Sequence, residues 1–190
     1  MKFQLGLALA GALLLAAPAA SAATATKPLT SMEKNIETMG TGVAIALPLT
    51  ALAITIRKRD RVGLEEFAVQ TALTVGTAYA LKYLVREQRP DGSDFHSFPS
   101  DTTALAASGS SFLWRRYGWQ YGLPAYAVMQ FVSYSRIQAN KHHWYDTMAS
   151  SAIAFGYSLA VTDRFSQRYH LRTSLEATPD SAYFQLAYNF

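Results

Sequence analysis

Apolar residues along the chain fall into five stretches that are separated by short polar segments. The stretches cover residues 42–56, 67–85, 102–114, 121–134 and 147–161. Alanine, leucine and spaced small residues dominate them, and this composition favours helices over strands. Strong alternation of apolar and polar residues is confined to the end of the chain. The pattern therefore predicts an all-α fold, a compact bundle of five helices.

The first 22 residues resemble a bacterial secretory signal peptide. Lys2 precedes an apolar run over residues 3–17, and Ala20-Ser21-Ala22 provides an Ala-x-Ala cleavage pattern. An uncleaved first membrane helix is the alternative, although about fifteen apolar residues are few for a span. The chain divides into a signal segment at 1–22, a polar linker at 23–41, a helical domain at 42–162 and a C-terminal tail at 163–190.

Basic residues between the apolar stretches favour a membrane topology. They lie at Arg57-Lys58-Arg59, at Arg115-Arg116, and at Arg164 and Arg168. If each stretch crosses a membrane once, all three basic segments fall on the cytoplasmic side, as the positive-inside rule requires. This predicts five membrane-embedded helices in a bacterial inner membrane, with residues 88–101 facing the periplasm.

A soluble periplasmic helical domain is the alternative to a membrane bundle. Each stretch is near or below the length of about 20 residues that a span usually needs. The stretch at 102–114 is also rich in Ser, Thr and Gly, and the mean hydropathy of the chain is only +0.04. Small residues fit a soluble helical core as well as a membrane bundle.

The composition excludes several classes of site. The chain of 190 residues contains no cysteine, so it forms neither disulfides nor thiolate metal sites. Its four histidines lack a convincing set of carboxylate partners, and we predict neither a metal nor another cofactor. The net charge of +4 is modest and the arginines are dispersed, so no nucleic-acid partner is expected. The pattern leaves the oligomeric state open.

Two cationic clusters follow apolar stretches and point to phosphate chemistry. The first contains Lys82 and Arg89, and the second combines Arg136 with His142 and Asp146. Arginine and lysine bind the non-bridging oxygens of phosphate, and a neutral imidazole is a competent nucleophile toward phosphorus. Asp146 follows His142 by four residues, where its carboxylate can fix the histidine tautomer. The spacing predicts a phosphate site with its own nucleophile.

The order of these residues resembles the type 2 phosphatidic acid phosphatase superfamily, which includes lipid phosphate phosphatases, bacterial acid phosphatases and vanadium haloperoxidases. Three ordered motifs carry the resemblance: Lys82-x6-Arg89-Pro90, Phe98-Pro99-Ser100 and Ser135-Arg136-x5-His142-x3-Asp146. The resemblance implies a metal-free phosphatase site on a helical core. It also implies that the phosphate is held by Lys82, Arg89, Ser100 and Arg136. The nucleophile would be His142, oriented by Asp146.

The second motif departs from the family pattern. Family members carry Pro-Ser-Gly-His, whereas Pro99-Ser100 is followed here by Asp101-Thr102. The family histidine that protonates the leaving oxygen is therefore missing, and a carboxylate stands near the expected phosphate. Three explanations stay open. Either His96 or Asp101 is the replacement proton donor, or the substrate is a diphosphate that needs little acid assistance, or the site has decayed.

The sequence thus predicts a metal-independent hydrolase. It would be a phosphatase or phosphotransferase that acts on a lipid-linked phosphate or diphosphate at the periplasmic face, through a phosphohistidine. Two alternatives remain. One is a soluble periplasmic acid phosphatase for small phosphomonoesters, and the other is a catalytically decayed membrane protein that binds phosphate or lipid.

Overall fold

The computed structural model describes residues 28–165 and two strands at 171–178 and 181–188. Five helices account for most of the described chain, and they confirm the helices that the apolar stretches predict. Their bounds are α1 (Ser31–Arg57), α2 (Arg61–Val85), α3 (Asp101–Tyr117), α4 (Trp119–Gln138) and α5 (Trp144–Val161). The predicted signal segment lies outside the described residues.

The C-terminal tail differs from the all-α prediction. Strands β1 (Leu171–Thr178) and β2 (Ser181–Tyr188) pair antiparallel, with Leu171 opposite Tyr188. The alternation of residue types that emerges only near the end of the sequence is the pattern that a paired strand produces. The fold is therefore a helical bundle followed by a β-hairpin.

Helix α1 begins earlier than the apolar pattern predicts. Its first residue is Ser31, inside the segment assigned to the polar linker. Thr30 and Glu33 form a reciprocal capping box. The Thr30 amide donates to Glu33 Oε2 at 2.7 Å, and the Glu33 amide donates to Thr30 Oγ1 at 3.3 Å. Because such a box satisfies free amides of the first turn, the helix starts at the cap although the next residues are polar.

Helix α3 is the centre of the bundle and packs against each of the other four helices. Most of its residues are buried, including Ser108, Ser110 and Ser111. Its small side chains let neighbouring backbones approach closely: a Cβ on Gly109 would lie 2.9 Å from the backbone of Pro48 in α1. Other helices surround the stretch at 102–114, so its Ser, Thr and Gly residues lie inside the bundle.

The helix connections divide between the two ends of the bundle. At one end, the α1–α2 turn meets the end of α3, where Arg116 binds Asp60. At the other end, the α2–α3 loop meets the α4–α5 loop, and the Asp91 amide donates to the Asn140 carbonyl at 3.0 Å. The three motifs of the sequence analysis lie together at this second end.

The prediction of five membrane-embedded helices is not confirmed. Within the described chain, α1 alone combines the length and the apolar composition that are needed to cross a membrane. A buried core helix or a signal sequence would satisfy the same criterion. Membrane embedding of the whole bundle therefore stays a prediction.

Candidate active site

His142 lies in the α4–α5 loop, and its side chain is only 2% exposed. Its Nδ1 is 2.8 Å from the carbonyl oxygen of Ser97. A carbonyl oxygen can only accept a hydrogen bond, so Nδ1 carries the proton in the neutral imidazole. The other nitrogen, Nε2, keeps its lone pair and lies 3.9 Å from Oδ1 of Asp101. The ring is thus held in the tautomer that a nucleophilic histidine requires.

Asp146 is fully buried in the first turn of α5 and supports this arrangement. Its Oδ2 accepts hydrogen bonds from the Ser97 hydroxyl at 2.5 Å and from the His143 amide at 2.8 Å. The same oxygen lies 3.5 Å from Nδ1 of His142. A negative charge at this place stabilises a positively charged imidazole. The geometry is compatible with an orienting role for Asp146, although the Ser97 carbonyl is the nearer acceptor.

Lys82 reaches the same place from the last turn of α2. Its side chain is 7% exposed, and its Nζ lies 3.1 Å from Oδ1 of Asp101, the first residue of α3. That oxygen is the one that faces Nε2 of His142. A carboxylate therefore lies between the lysine ammonium group and the candidate nucleophile.

Arg136 is buried in the last turn of α4. Its Nη2 donates to the carbonyl of Glu37 in α1, and its Nε donates to the Ser135 hydroxyl at 3.2 Å. Among the described residues, no carboxylate forms a direct ion pair with this guanidinium. The carboxylates of Glu37 and Asp101 and the guanidinium of Arg89 act on it electrostatically without a direct ion pair. A buried arginine that forms no ion pair within the described chain is able to bind an anion.

Arg89 connects the two loops of the site. Its Nε donates to Oδ1 of Asp94 at 2.8 Å, and its Nη1 lies 3.5 Å from the Lys141 carbonyl, next to His142. Partial burial alone would raise the pKa of the Asp94 carboxyl, but the hydrogen bond from Arg89 holds it below its ordinary value.

A second ion pair fastens the same two loops. Nζ of Lys141 lies 2.7 Å from Oδ2 of Asp91. Burial would raise the pKa of the Asp91 carboxyl, but the Lys141 hydrogen bond outweighs burial and lowers that pKa to about 2. The loop that carries Arg89 is therefore tied to the loop that carries His142.

Two residues of the predicted set make other contacts. Ser100 is the N-cap of α3, and its buried hydroxyl accepts from the Thr103 amide at 3.3 Å and donates to Thr103 Oγ1 at 3.1 Å. A phosphate-holding role for Ser100 stays a prediction. His96 lies beside Asp94, with 3.8 Å between Nδ1 and Oδ1, and against the ring of Tyr83. Of the two candidate proton donors, Asp101 is the one that approaches His142.

Sequence reasoning missed the contributions of Ser97 and Glu37. Ser97 binds His142 through its carbonyl and Asp146 through its hydroxyl, and Glu37 binds Arg136 through its carbonyl. Main-chain carbonyls are present in every residue, so they leave no signal of residue type. The position of Ser97 next to the second motif is the one sequence feature that could have drawn attention to it.

One group of side chains in the described chain has the arrangement of metal ligands. Ligand atoms of Glu87, His143 and Asp146 lie within 4.8 Å of one another, a set that the sequence analysis did not anticipate. Hydrogen bonds already engage two of them, because the Tyr145 hydroxyl donates to Glu87 and the Ser97 hydroxyl donates to Asp146. The cluster is therefore part of the hydrogen-bond network around His142, which Ser97 joins through its hydroxyl and its carbonyl.

An oriented histidine that faces the ion pair of Asp101 and Lys82, with arginines nearby in a helical bundle, defines a candidate site for phosphoryl transfer. The PAP2 superfamily matches residues 63–169, which is more than half of the chain. The chain belongs to this superfamily, and the resemblance that its three motifs indicated is confirmed.

Two relatives give the comparison more detail. The chain is 29% identical over 133 residues to a lipid A 4'-phosphatase from Helicobacter pylori, and the alignment covers 64% of this chain and 67% of that protein. It is 31% identical over 132 residues to a lipid A 1-phosphatase from Porphyromonas gingivalis, covering 63% of this chain and 29% of that protein. The chain thus spans less than a third of the second relative. No solved structure matches it significantly.

Proposed function

We propose that this chain is a lipid phosphate phosphatase or phosphotransferase that acts through a phosphohistidine on His142. The observation that carries the proposal is the hydrogen bond from His142 Nδ1 to the Ser97 carbonyl, which leaves the lone pair of Nε2 free on the side that faces the ion pair of Asp101 and Lys82. Membership of the PAP2 superfamily and similarity to two lipid A phosphatases support phosphate removal from a lipid.

The reaction proceeds in two displacements. Nε2 of His142 attacks phosphorus, an N–P bond forms, and the bond to the leaving oxygen breaks. Lys82, Arg89 and Arg136 balance the charge on the non-bridging oxygens, while Asp146 stabilises the positively charged ring. Water then attacks the phosphohistidine, the N–P bond breaks, and inorganic phosphate leaves. An alcohol that replaces water makes the reaction a transfer.

The leaving oxygen needs a proton when it departs as an alcohol. Asp101 lies 3.9 Å from the nucleophilic nitrogen, whereas His96 is held beside Asp94, so Asp101 is the better placed donor. Its ion pair with Lys82 marks it as a carboxylate. It has to leave Lys82 and take up a proton before it can donate one. A diphosphate substrate avoids this requirement because phosphate is then the leaving group.

The outer surface of the bundle favours a lipid environment. Large apolar side chains face outward and are more than half exposed on four helices: Leu49 in α1, Leu84 in α2, Leu123 in α4 and Leu159 in α5. Exposed apolar surface of this extent marks an interaction with lipid or with another protein. A lipid substrate then reaches the site by diffusion within the membrane.

Buried polar side chains inside the bundle also favour a lipid environment. Gln70 is fully buried, and its side-chain nitrogen donates to Ser111 Oγ at 2.8 Å while its oxygen accepts from Thr162 at 2.8 Å. Polar groups that bond one another inside an apolar exterior suit helices embedded in lipid. We therefore propose that the bundle lies in a bacterial inner membrane, and the basic segments at its other end favour a site on the periplasmic face.

Membrane fractionation tests this placement. The full chain should stay with the membranes after osmotic shock and an alkaline carbonate wash, and detergent should release it. Release by osmotic shock alone would contradict the placement and favour a soluble periplasmic acid phosphatase.

Phosphate release by the purified full chain tests the chemistry. The names of the two relatives make lipid A the first substrate, with undecaprenyl diphosphate and p-nitrophenyl phosphate beside it. His142→Gln should lower phosphate release by about 10³-fold or more, because the nucleophile is lost. Its thermal melting curve should show that the protein is folded.

His143→Gln is the matched control. His143 is the adjacent histidine; its ring stacks on Tyr145 with 4.9 Å between the centroids, and its Nδ1 lies 3.6 Å from Oδ2 of Asp146. This variant should retain activity within about tenfold of the unchanged chain. Equal activity in the His142→Gln protein would refute the proposed mechanism. Absence of release from every substrate by the folded, unchanged chain would favour the decayed phosphate-binding protein.

A further inference from the structure

Asp101 occupies a position that the proposed reaction needs for its substrate. Its Oδ1 lies 3.1 Å from Lys82 Nζ and 3.9 Å from His142 Nε2. Its side chain is 32% exposed, against 7% for Lys82 and 2% for His142. The carboxylate is therefore the most exposed of the three groups, and its Oδ1 lies within 4 Å of both the buried cation and the nucleophilic nitrogen.

A phosphate that is ready for attack needs this same space. Reacting atoms in a productive complex are about 3–3.5 Å apart, so the oxygens of a phosphate facing Nε2 lie within a few ångströms of that nitrogen. Those oxygens also need Lys82 as their cationic partner. Oδ1 of Asp101 lies 3.9 Å from Nε2 and already binds Lys82.

The start of α3 makes the place attractive to any anion. Asp101 is the first residue of this helix, where free backbone amides and the helix dipole favour negative charge. Arg136 interacts electrostatically with Asp101 from the side of α4. Lysine, arginine and helix terminus therefore all favour one anion at this point, and two anions there would repel each other.

We propose that the Asp101 carboxylate is an internal substitute for the substrate phosphate, and that every incoming phosphate must displace it from Lys82. The proposal rests on the proposed function and assigns a specificity role to the residue that departs from the family motif. Displacement lowers the affinity for a bare phosphate. Binding must then draw on the rest of a larger substrate, such as a lipid. The returning carboxylate also helps to expel the product phosphate.

Equilibrium binding of inorganic phosphate to the detergent-purified full chain tests the proposal, with isothermal titration calorimetry as the readout. Asp101→Asn and Asp101→Gly remove the competing charge. We expect both variants to bind phosphate at least about tenfold more tightly than the unchanged chain, because like charges side by side disfavour binding strongly.

Glu65→Gln is the matched control. It makes the same change in net charge, but Glu65 is exposed near the start of α2, whereas Lys82 lies in the last turn of that helix. Its phosphate Kd should stay within about twofold of the unchanged chain, since a distant exposed charge is screened. Equal tightening in Glu65→Gln would reveal a general charge effect and would overturn the proposal.

Two further results would also overturn it. One is phosphate binding in folded Asp101→Asn and Asp101→Gly proteins that is no tighter than in the unchanged chain. The other is loss of the folded state in both variants, because Asp101 would then be a structural partner of Lys82. Binding is measured without turnover. Tighter phosphate binding in a protein that hydrolyses nothing would support this proposal while contradicting the proposed function.

Discussion

The two ends of the bundle bury cations in different ways. At the end where the α1–α2 turn meets α3, each nitrogen of Arg116 has a partner. Its Nη2 and Nε donate to the two oxygens of Asp60 at 2.6 and 2.7 Å, and its Nη1 donates to Glu66 at 3.1 Å and to the Asp163 carbonyl at 2.9 Å. Burial alone would raise the pKa of Asp60, but the Arg116 hydrogen bonds hold it below its ordinary value.

At the site end two buried cations are compensated less completely. Lys82 pairs with Asp101, a carboxylate that is about a third exposed. Within the described chain, Arg136 binds a main-chain carbonyl and a hydroxyl and forms no ion pair with a carboxylate. Satisfied charges stabilise a fold, whereas cations held with incomplete compensation are ready to bind an anion. The contrast separates a structural ion pair from a binding site within one small bundle.

Removing one cation from each end tests this contrast most strongly. Arg116→Met should lower the free energy of unfolding by about 3–5 kcal/mol, because Asp60 is left buried without its counter-charge. Lys82→Met should cost less than about 1 kcal/mol, since water reaches Asp101. Its phosphate release should nevertheless fall by about 10²-fold or more, because a phosphate-binding charge is missing. Thermal melting and phosphate release on the same preparations measure both effects.

The opposite pattern would break the comparison. If Lys82→Met unfolds as readily as Arg116→Met, the lysine is a structural cation and the site end is not specialised for an anion. If Arg116→Met loses activity without losing stability, the Arg116 end takes part in function. Asp60→Asn combined with Arg116→Met serves as the control, because removing both charges should restore part of the stability.

The sequence predicts the site better than it predicts the surroundings of the site. The chemistry of Lys82, Arg136 and His142 follows from the types of their side chains. Their positions at the ends of apolar stretches predict that they lie close together. The roles of Ser97 and Glu37 depend on main-chain carbonyls, which any residue could supply. Only the folded geometry brings these carbonyls to His142 and Arg136.

Other features depend on long-range packing in the same way. Asp60 and Arg116 look like members of two unrelated basic segments in the sequence, and they pair across 56 positions. The polar character of α3 counted against a membrane helix in the sequence, yet it reflects the central place of that helix among its neighbours. A local pattern reports how polar a helix is, but it does not report what surrounds the helix.

A smaller effect is expected where α1 supports the site. A Cβ on Gly40 would lie 1.9 Å from Ser135 Oγ and 3.2 Å from Arg136 Nη2. Gly40→Ala should therefore push α1 away from α4 and disturb the hydrogen bond between the Glu37 carbonyl and Arg136. We expect a loss of about 1–3 kcal/mol from overpacking and a rise of about tenfold in the KM for phosphate substrates, since a small misplacement weakens binding.

Gly42→Ala provides the control in the same helix. Gly42 is exposed, and a Cβ there would meet nothing within 4 Å. Because alanine is favoured over glycine inside a helix, this variant should gain up to about 1 kcal/mol of stability and keep its KM. An unchanged KM in Gly40→Ala would mean that the contact between α1 and Arg136 does not position the arginine. The site would then be built by α2 to α5 alone, and α1 would serve the bundle only as packing.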